Sequence, residues 1–229
     1  DSVDAFVKDL RRTRNPALLR QVVEALTTNE TSFFRDADPF LTLRQEVLPA
    51  LAKERPHRNL RVWAAACSTG QEPYSIAMTV RETPELAGFK VDILATDLSE
   101  EVLAKARKAE YSQLEVNRGL PVTTLVKHFE RAGLNWRLNP DLASMVQFRQ
   151  LNLMRPFGPI GRFDVVFLRN VLIYFDLPTK QAILRRVRDL MRPDGWLFLG
   201  AAETTLGVDD SWERVVVGRS SAYRPLKGA

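Results

Sequence analysis

The chain has 229 residues and is 45% hydrophobic, so it is long and apolar enough to bury the core of one main domain with an appendage. Its formal net charge of +5 combines 33 basic with 28 acidic residues. This balance fits an acidic protein partner or nucleic acid, but it favours an ordinary solvated surface over either, because the two charges nearly match.

Rare residue types restrict the chemistry further. The single cysteine, Cys67, rules out an internal disulfide and indicates a reducing compartment, and its place after an apolar run favours a buried filler over a nucleophile. His57 and His128 are far apart and have no cluster of Cys or carboxylates at ligand spacing, so we expect no protein-bound metal. The sequence shows no signal peptide or long apolar span, which predicts a cytoplasmic, soluble protein without membrane insertion.

The first 54 residues are predicted to be mainly helical. Residues 1–26 read as basic helices in which Asn15 is a cap and Pro16 occupies the first turn. Residues 27–35 are rich in hydrogen-bonding side chains, and on their own they predict a cap for the next helix. That helix is expected over residues 38–54, with an apolar face formed by Phe40, Leu43, Val47 and Leu51.

A basic cluster at residues 8–14 stands out in this region. Judged alone, a solvated helix end is a better interpretation of it than a docking surface. Its members are Lys8, Arg11, Arg12 and Arg14.

A strand, a turn and a helix follow at residues 61–83. Gly70 provides the turn, and Pro73 suits the first turn of the helix because an amide there has no intrahelical partner to lose. Small residues at such a corner let a ligand approach the backbone. The three glycines of a dinucleotide fingerprint are absent, so a ligand smaller than a diphosphate is favoured, and an ordinary strand–helix corner is equally compatible.

The rest of the chain alternates strands with helices. Further strands are predicted at residues 91–96, 145–150, 163–168 and 196–200, and an antiparallel hairpin around Gly218 at residues 212–217 and 221–224. Ser99 is expected to cap the helix after the second strand, a helix is expected over 178–191, and a turn is expected at 193–195. Residues 111–145 break the alternation with a short helix and a hairpin around Gly133. The pattern predicts an α/β fold with a mostly parallel sheet, an antiparallel edge hairpin and a small β insertion.

Polar residues after several strand ends are predicted to converge, because ligands of open α/β sheets bind beyond the carboxyl ends of the strands. Together they offer an acid for ribose, a carboxylate for an ammonium or sulfonium group, amides for adenine, and an Arg with a Tyr for an anionic acceptor. Asp97 can alternatively cap the following helix, although Ser99 is better placed to do so. The converging residues are Ser68–Glu72, Asp97, Asn152–Leu153, Arg169–Asn170 and Tyr174.

Taken in order, these segments resemble the CheR family of chemotaxis-receptor glutamate O-methyltransferases. Each segment is weak alone, but the ordered set spans about residues 27–200 and is highly specific. The resemblance implies a Rossmann-like class I methyltransferase domain at residues 28–229, with a β-subdomain insertion at about 111–145, after a short N-terminal helical domain at 1–27. The matching stretches are Thr27–Arg35, Ala65–Ser75, Thr96–Asp97, Asn152–Leu153, Arg169–Phe175 and Pro193–Gly195.

The resemblance also implies the cofactor, S-adenosylmethionine, with S-adenosylhomocysteine as its product. Glu72 would face the methionine part and Asp97 the ribose, while Arg169 and Asn170 would complete the floor of the pocket. Arg35 and Tyr174 would be catalytic and orient the acceptor glutamate. The full set of cofactor-binding residues would be Asn29, Thr31, Arg35, Ala66, Glu72, Asp97, Asn152, Leu153, Arg169 and Asn170.

Two departures from the family concern the partner, which the resemblance implies to be the cytoplasmic helical domain of chemoreceptors. The family's N-terminal domain is longer, so residues 1–26 are expected to keep only its end and to lack part of the receptor-docking surface. The loop around Gly133 is shorter and less glycine-rich than in members that bind a receptor's tether peptide, which predicts tether independence. No nucleic acid partner is expected, and since nothing demands a dimer we expect a monomer.

Three other functions are less well supported. Amino-methylating enzymes of this fold usually have an Asn-Pro-Pro-aromatic motif after the fourth strand, where this chain has Arg169–Leu172, so a nucleic-acid or small-molecule methyltransferase is disfavoured. The missing glycines argue against a nicotinamide-dependent dehydrogenase. A non-catalytic adaptor that retains the fold would be expected to have lost Tyr174, Asp97 or Glu72, and all three are present.

Overall fold

The computed structural model describes residues 2–13, 15, 18, 22 and 29–226. The chain divides into two compact units, residues 1–30 and 31–229. In the first unit, helix α1 spans Val3–Thr13, and the side chain of Asn15 accepts the amide of Leu18 (3.3 Å), as expected of a cap. Most of the helix expected over 16–26 lies outside the described residues, as do Thr27 and Thr28.

The second unit begins with the amphipathic helix expected over 38–54, which is confirmed. Helix α2 (Asp38–Thr42) continues through one π-helical turn (Leu43–Val47) into α3 (Leu48–Glu54). This wider turn lies just before Pro49, which has no amide hydrogen to donate to a regular helix. All four residues of the expected apolar face are buried: Phe40, Leu43, Val47 and Leu51.

A seven-stranded sheet forms the centre of this unit, with the order β6–β2–β1–β7–β8–β10–β9. The first five strands in this order pair in parallel, whereas β10 pairs antiparallel with β8 and β9. The predicted mostly parallel sheet with an antiparallel edge hairpin is therefore confirmed. The strands are β1 (Asn59–Ala65), β2 (Lys90–Asp97), β6 (Val146–Gln150), β7 (Phe163–Leu168), β8 (Met191–Leu199), β9 (Trp212–Val217) and β10 (Ser220–Pro225).

Apolar side chains cover both faces of this sheet, as its parallel part requires. Alternate residues of β1 belong to two different clusters: Val62 and Ala64 to one, Trp63 and Ala65 to the other. The first cluster includes side chains of α2, α3 and α4 (Gln71–Arg81), and the second includes those of α9 (Leu177–Asp189). The remaining helices are α5 (Glu100–Lys108), α6 (Gln113–Asn117), α7 (Val122–His128) and α8 (Pro140–Ala143), with 3-10 turns at Pro84–Leu86 and Leu172–Tyr174.

Strand β8 begins earlier than the sequence predicted. Pro193, Asp194 and Gly195 were expected to form a turn before a strand at 196–200, and this expectation was wrong, because β8 already pairs with β7 at Met191. The register shifts within this pairing, so the extra residues of β8 form an irregularity of the β-bulge type. A bulge accommodates a proline, which cannot donate to the ladder, without ending the strand.

Residues 110–138 form a second, three-stranded antiparallel sheet with the order β3–β5–β4. Its strands are β3 (Glu110–Ser112), β4 (Phe129–Ala132) and β5 (Asn135–Leu138), and the hairpin expected around Gly133 is confirmed. The ring of Phe33 packs edge-on against Tyr111 (4.9 Å between centroids) and Phe129 (5.6 Å). The small sheet thus supports the segment that leads to Arg35.

Candidate active site

The loop between β1 and α4 is bent by left-handed residues at three of five positions. Ala66 (φ 58°), Ser68 (φ 49°) and Gly70 (φ 96°) adopt this conformation, which is unfavourable for residues other than glycine and is common at functional sites. A Cβ atom on Gly70 would lie 2.9 Å from the Cβ of Ala106 and 3.0 Å from the hydroxyl of Tyr111. The loop therefore packs tightly against α5 and the small sheet, and glycine is required at its end.

Asp97 joins three strand ends at the carboxyl edge of the sheet. Its carboxylate accepts the amides of Ser68 (2.8 Å) and Ser99 (3.0 Å), and its carbonyl accepts the amide of Leu151 (2.8 Å). The structure thus brings together the loops that follow β1, β2 and β6. Ser99 caps α5 by accepting the amide of Val102 (3.2 Å), which confirms its expected role and leaves Asp97 for the site.

Arg169 lies at the centre of a buried charge cluster directly after β7. Its side chain is 1% exposed, and it donates to Glu72 (2.9 Å), to Asp36 (2.7 Å) and to the carbonyl of Arg35 (2.9 Å). One nitrogen, Nε, is buried without a hydrogen-bond partner among the described residues. Arg169 therefore fixes Glu72 relative to residues 35 and 36. The sequence predicted Arg169 as part of the pocket floor and did not predict this bracing contact.

Glu72 lies in the first turn of α4, with 12% of its side chain exposed. Burial raises the pKa of this carboxyl above its ordinary value, and the charge and hydrogen bond of Arg169 offset only part of that effect. The positive charge of Arg35 also lowers this pKa, while the negative charge of Glu203 raises it further. Four of the charged residues at this edge are therefore close enough to interact electrically.

Asn170 and Tyr174 lie on the loop that follows β7. Asn170 adopts a left-handed conformation (φ 57°), and a 3-10 turn then carries the chain to Tyr174. The side chain of Tyr174 is 58% exposed, which leaves its ring accessible to an incoming substrate.

The remaining predicted residues differ in their surroundings. The side chain of Asn152 accepts the amide of Met154 (2.8 Å), and Leu153 is buried beside it, two residues beyond the amide bonded to Asp97. Thr31 is half-buried at the start of the second unit. Asn29 is half-buried in the first unit, whereas all the others belong to the second.

Three residues that contribute to this edge were missed from the sequence. Asp36 pairs with Arg169, Tyr111 donates to the carbonyl of Thr69 (2.8 Å), and the carboxylate of Glu203 accepts four backbone amides. Asp36 directly follows Arg35 and could have been noticed by its position. Tyr111 and Glu203 carry no local signal, because the partner of Tyr111 and three of the four partners of Glu203 are 31–42 residues distant in the chain.

Cys67 is buried directly after Ala66, and burial raises the pKa of its thiol well above the ordinary value. It therefore stays protonated, which agrees with a role as buried filler. Across residues 29–226 and the described part of the N-terminal unit, no three His, Cys, Asp or Glu side chains are grouped as a metal site requires. The helices of the same residues include none long and apolar enough to cross a membrane.

Charges of both signs gather at this edge. Asp36, Glu72, Asp97 and Glu203 contribute carboxylates, Arg35 and Arg169 contribute guanidinium groups, and Arg214 and Arg219 line the same cavity as Asp36 and Glu203. A carboxylate can accept hydrogen bonds from hydroxyl and ammonium groups and attracts a nearby sulfonium. A sulfonium cofactor therefore fits this donor set.

Comparisons with known proteins point in the same direction. The family described as CheR methyltransferase, SAM binding domain, matches residues 29–220. The chain is 43% identical to chemotaxis protein methyltransferase 1 of Pseudomonas aeruginosa over 218 residues, which cover 93% of this chain and 80% of that protein. It is 41% identical to chemotaxis protein methyltransferase Cher2 of Pseudomonas putida over 228 residues, covering 97% and 83%, and 40% identical to a chemotaxis protein methyltransferase of Vibrio parahaemolyticus over 227 residues, covering 97% and 82%.

Proposed function

The chain belongs to the CheR methyltransferase family, and we propose that it transfers the methyl group to glutamate side-chain carboxylates in the cytoplasmic helical domain of chemoreceptors. It is an S-adenosylmethionine-dependent methyltransferase of chemotaxis. The proposal adds the chemical nature of the acceptor and the roles of individual residues.

The observation that carries the proposal is the pair of groups that an anionic acceptor would meet: the exposed Tyr174, and Arg35, whose positive charge is close enough to lower the pKa of Glu72. Of the described residues, neither histidine lies at the carboxyl edge: His57 precedes β1 at the opposite edge, and His128 pairs with Glu82 (2.9 Å). Amines and alcohols must lose a proton when they are methylated, which calls for a base near neutral pH. A glutamate carboxylate is already ionised there and needs none. A site built from carboxylates, guanidinium groups and a phenol therefore suits a carboxylate acceptor.

The cofactor would supply an activated methyl group on a positively charged sulfur. We assign Glu72 to its methionine part, where the carboxylate would favour the ammonium or the sulfonium group. Asp97 would hold the ribose hydroxyls, because its carboxylate lies at the carboxyl end of β2, where it accepts the amides of Ser68 and Ser99. The other assigned contacts are Asn29, Thr31, Ala66, Asn152, Leu153 and Asn170, with Arg169 bracing Glu72.

Arg35 and Tyr174 are assigned to the acceptor glutamate. Alignment of carboxylate and methyl group is the main contribution that the protein can make to such an in-line displacement, and it is worth several kcal/mol. Arg35 must orient the carboxylate without stabilising its charge too strongly, since ground-state stabilisation would slow transfer. Its backbone is held for this task by Arg169, through the carbonyl at 2.9 Å.

The reaction class is tested with methyl-labelled S-adenosylmethionine and a soluble cytoplasmic fragment of a receptor, followed by mild alkali. Release of the label as volatile methanol is expected, because only a carboxyl ester hydrolyses in this way. Label that survives alkali on the receptor would show nitrogen or carbon methylation and would overturn the assigned acceptor.

The catalytic roles are tested by Arg35→Ala and Tyr174→Phe, with calorimetric titration of S-adenosylhomocysteine beside the transfer rate. Each substitution is expected to impair transfer more than cofactor binding. The control is Arg185→Ala, on the exposed side of α9. Equal losses in transfer and binding for Arg35→Ala or Tyr174→Phe would contradict the assignment.

We further propose that the protein acts without a tether peptide, as a cytoplasmic monomer. The turn between β4 and β5 contains only two residues, Gly133 and Leu134. Such a short turn offers little surface to which a receptor's tether peptide could bind. Calorimetry with the C-terminal peptide of the receptor is expected to show no heat of binding, and a clear isotherm would overturn this part. Sedimentation equilibrium tests the monomer.

A further inference from the structure

Glu203 lies in the turn after β8 and has no place in the roles assigned so far. Its amide donates to the carbonyl of Gly200 (2.9 Å), which folds the side chain back over the end of the strand. One carboxylate oxygen accepts the amides of Asn170 (2.7 Å) and Gly200 (2.7 Å). The other accepts those of Val171 (2.9 Å) and Leu172 (2.6 Å). One side chain therefore satisfies four backbone donors from two separate loops.

Three of these donors are consecutive, and the backbone explains how they reach one carboxylate. Asn170 is left-handed (φ 57°), and Val171 follows with φ −129° and ψ −33°. A turn that starts at a left-handed residue can direct successive N–H groups toward a common point, which forms a nest for an anion. Hydrogen bonds to a charged acceptor are about twice as strong as those between neutral groups. The Glu203 carboxylate thus stabilises a loop conformation that would otherwise be strained.

Gly200 makes this arrangement possible. A Cβ atom there would lie 2.7 Å from Oε2 of Glu203 and 2.9 Å from the amide nitrogen of Asn170. The carboxylate and the loop occupy the space of the missing side chain.

The loop held in this way carries the residue assigned to the acceptor. The amide of Tyr174 donates to the carbonyl of Val171 (3.2 Å), so the short turn grows directly from the anchored residues. Because Tyr174 is 58% exposed, few side chains pack around it, and its position depends strongly on the backbone of this turn. We propose that Glu203 is a positioning residue for methyl transfer, whose carboxylate holds residues 170–172 so that Tyr174 meets the acceptor glutamate. This inference rests on the function proposed above.

Glu203→Gln tests the anchor with little change in shape. The NH2 group of the new side chain would replace one carboxylate oxygen and, as a donor, could not accept the two backbone amides that this oxygen binds. Two of the four hydrogen bonds would be lost. A displacement of about 1 Å at a catalytic group lowers the rate by about 100-fold, and we expect a 10- to 100-fold fall in the rate of transfer to the receptor fragment. The dissociation constant of S-adenosylhomocysteine should stay within about threefold of wild type. Glu213→Gln, on exposed β9, removes a carboxylate without touching the loop and should behave as wild type.

A double-mutant cycle with Tyr174→Phe separates positioning from general stabilisation. If Glu203 acts through Tyr174, adding Glu203→Gln to Tyr174→Phe should cost no more than about threefold, because residues that act as a unit are not additive. Multiplicative losses would overturn the inference, as would a loss of S-adenosylhomocysteine binding as large as the loss of transfer.

Hydrogen exchange provides a readout that does not depend on the acceptor. The amides of Val171 and Leu172 should exchange at least about tenfold faster in Glu203→Gln, because local opening then costs less. Unchanged exchange would overturn the positioning role by itself. Failure of the wild-type protein to methylate the receptor fragment would instead overturn the proposed function.

Discussion

Two buried arginines mark opposite ends of the same central strand. Beside the carboxyl end of β7, Arg169 pairs with Glu72 and Asp36. Beside its amino end, Arg55 pairs with Asp164 (2.7 Å) and Asp194 (2.6 Å). Each guanidinium has one buried nitrogen without a hydrogen-bond partner among the described residues. The two clusters thus resemble each other in composition and in local packing.

They differ in whether burial or the paired arginine dominates the pKa of a carboxyl. At the amino edge, Arg192 adds a second cation to Asp164 (3.1 Å), so two arginines face two carboxylates. There burial tends to raise the pKa of Asp194, but the hydrogen bond and charge of Arg55 outweigh it and hold that pKa below its ordinary value. At the carboxyl edge, the pKa of Glu72 is raised, because burial outweighs Arg169. The first cluster joins β7, β8 and the end of α3, and its paired carboxylate stays ionised more easily than the buried Glu72 of the second.

Arg169→Met should have the largest effect, because it breaks a buried ion pair and releases the braced site. We expect transfer to fall by more than about 100-fold, as catalytic groups shift. The free energy of unfolding should fall by about 3–5 kcal/mol, since Glu72 is left as an uncompensated buried charge. Label transfer and urea denaturation measure the two effects. Retention of full activity would show that the cluster is merely structural.

Arg55→Met should separate stability from activity. The free energy of unfolding should fall by about 3 kcal/mol, because Asp164 loses a buried partner, whereas the pair with Asp194, whose side chain is 37% exposed, adds little. At temperatures where the variant is folded, affinity for S-adenosylhomocysteine should stay within about twofold of wild type, because distant sites act independently. A selective loss of transfer in this variant would remove the proposed distinction between the clusters.

Substitution of one glycine near each cluster, Gly200 and Gly195, should separate activity from stability with smaller effects. Gly200→Ala would press on Glu203 and Asn170, whereas Gly195→Ala would meet the carbonyls of Arg192 and Asp164 at 3.0–3.1 Å. Both should lose about 1–3 kcal/mol of stability through overpacking. Only Gly200→Ala should also lose transfer, by about tenfold, because only its neighbours hold the loop of Tyr174. Thermal unfolding and label transfer of both variants decide the point.

The smallest effect is a pair of opposite pH dependences. Because the folded-state pKa of Glu72 is raised from 4.5, its folded form binds more protons, and its contribution to stability falls as pH rises above that value. Because the pKa of Asp194 is lowered from 3.8, its contribution is present above that value and is lost as pH falls through the folded-state pKa.

The test is denaturation of wild type, Glu72→Gln and Asp194→Asn between about pH 3 and 7, a range that brackets the ordinary carboxyl pKa values. The stability difference between wild type and each variant should change with pH in opposite directions for the two variants. Slopes of the same sign would show that the two carboxylates have equivalent surroundings.

Much of the fold was predictable because strands and helices have local patterns of apolar and polar residues. Strands β7 and β9 have the predicted bounds, since apolar runs with polar ends define them. The start of β8 was not predictable. Pro193, Asp194 and Gly195 read as a turn, but the partner of Asp194 is 139 residues away in sequence. Local signals cannot report a contact of that range.

The candidate site shows the same division. Asp97 was correctly placed at a strand end, because the carboxyl edge of a parallel sheet collects such residues. Arg169 was placed at the site but not as the buried brace it is, since burial depends on Asp36 and Glu72 arriving from other segments. Glu203 has no local signal, because a carboxylate that binds backbone amides is chosen by loop geometry and not by residue pattern.

By itself, the sequence determined the α/β architecture, the family and the edge of the sheet where a site is expected, because periodicity and strand-end residues are local properties. Tertiary structure decided which charges are paired. It also decided which loop Glu203 holds. Desolvation and hydrogen-bond geometry set these features, and both arise only when distant segments pack together.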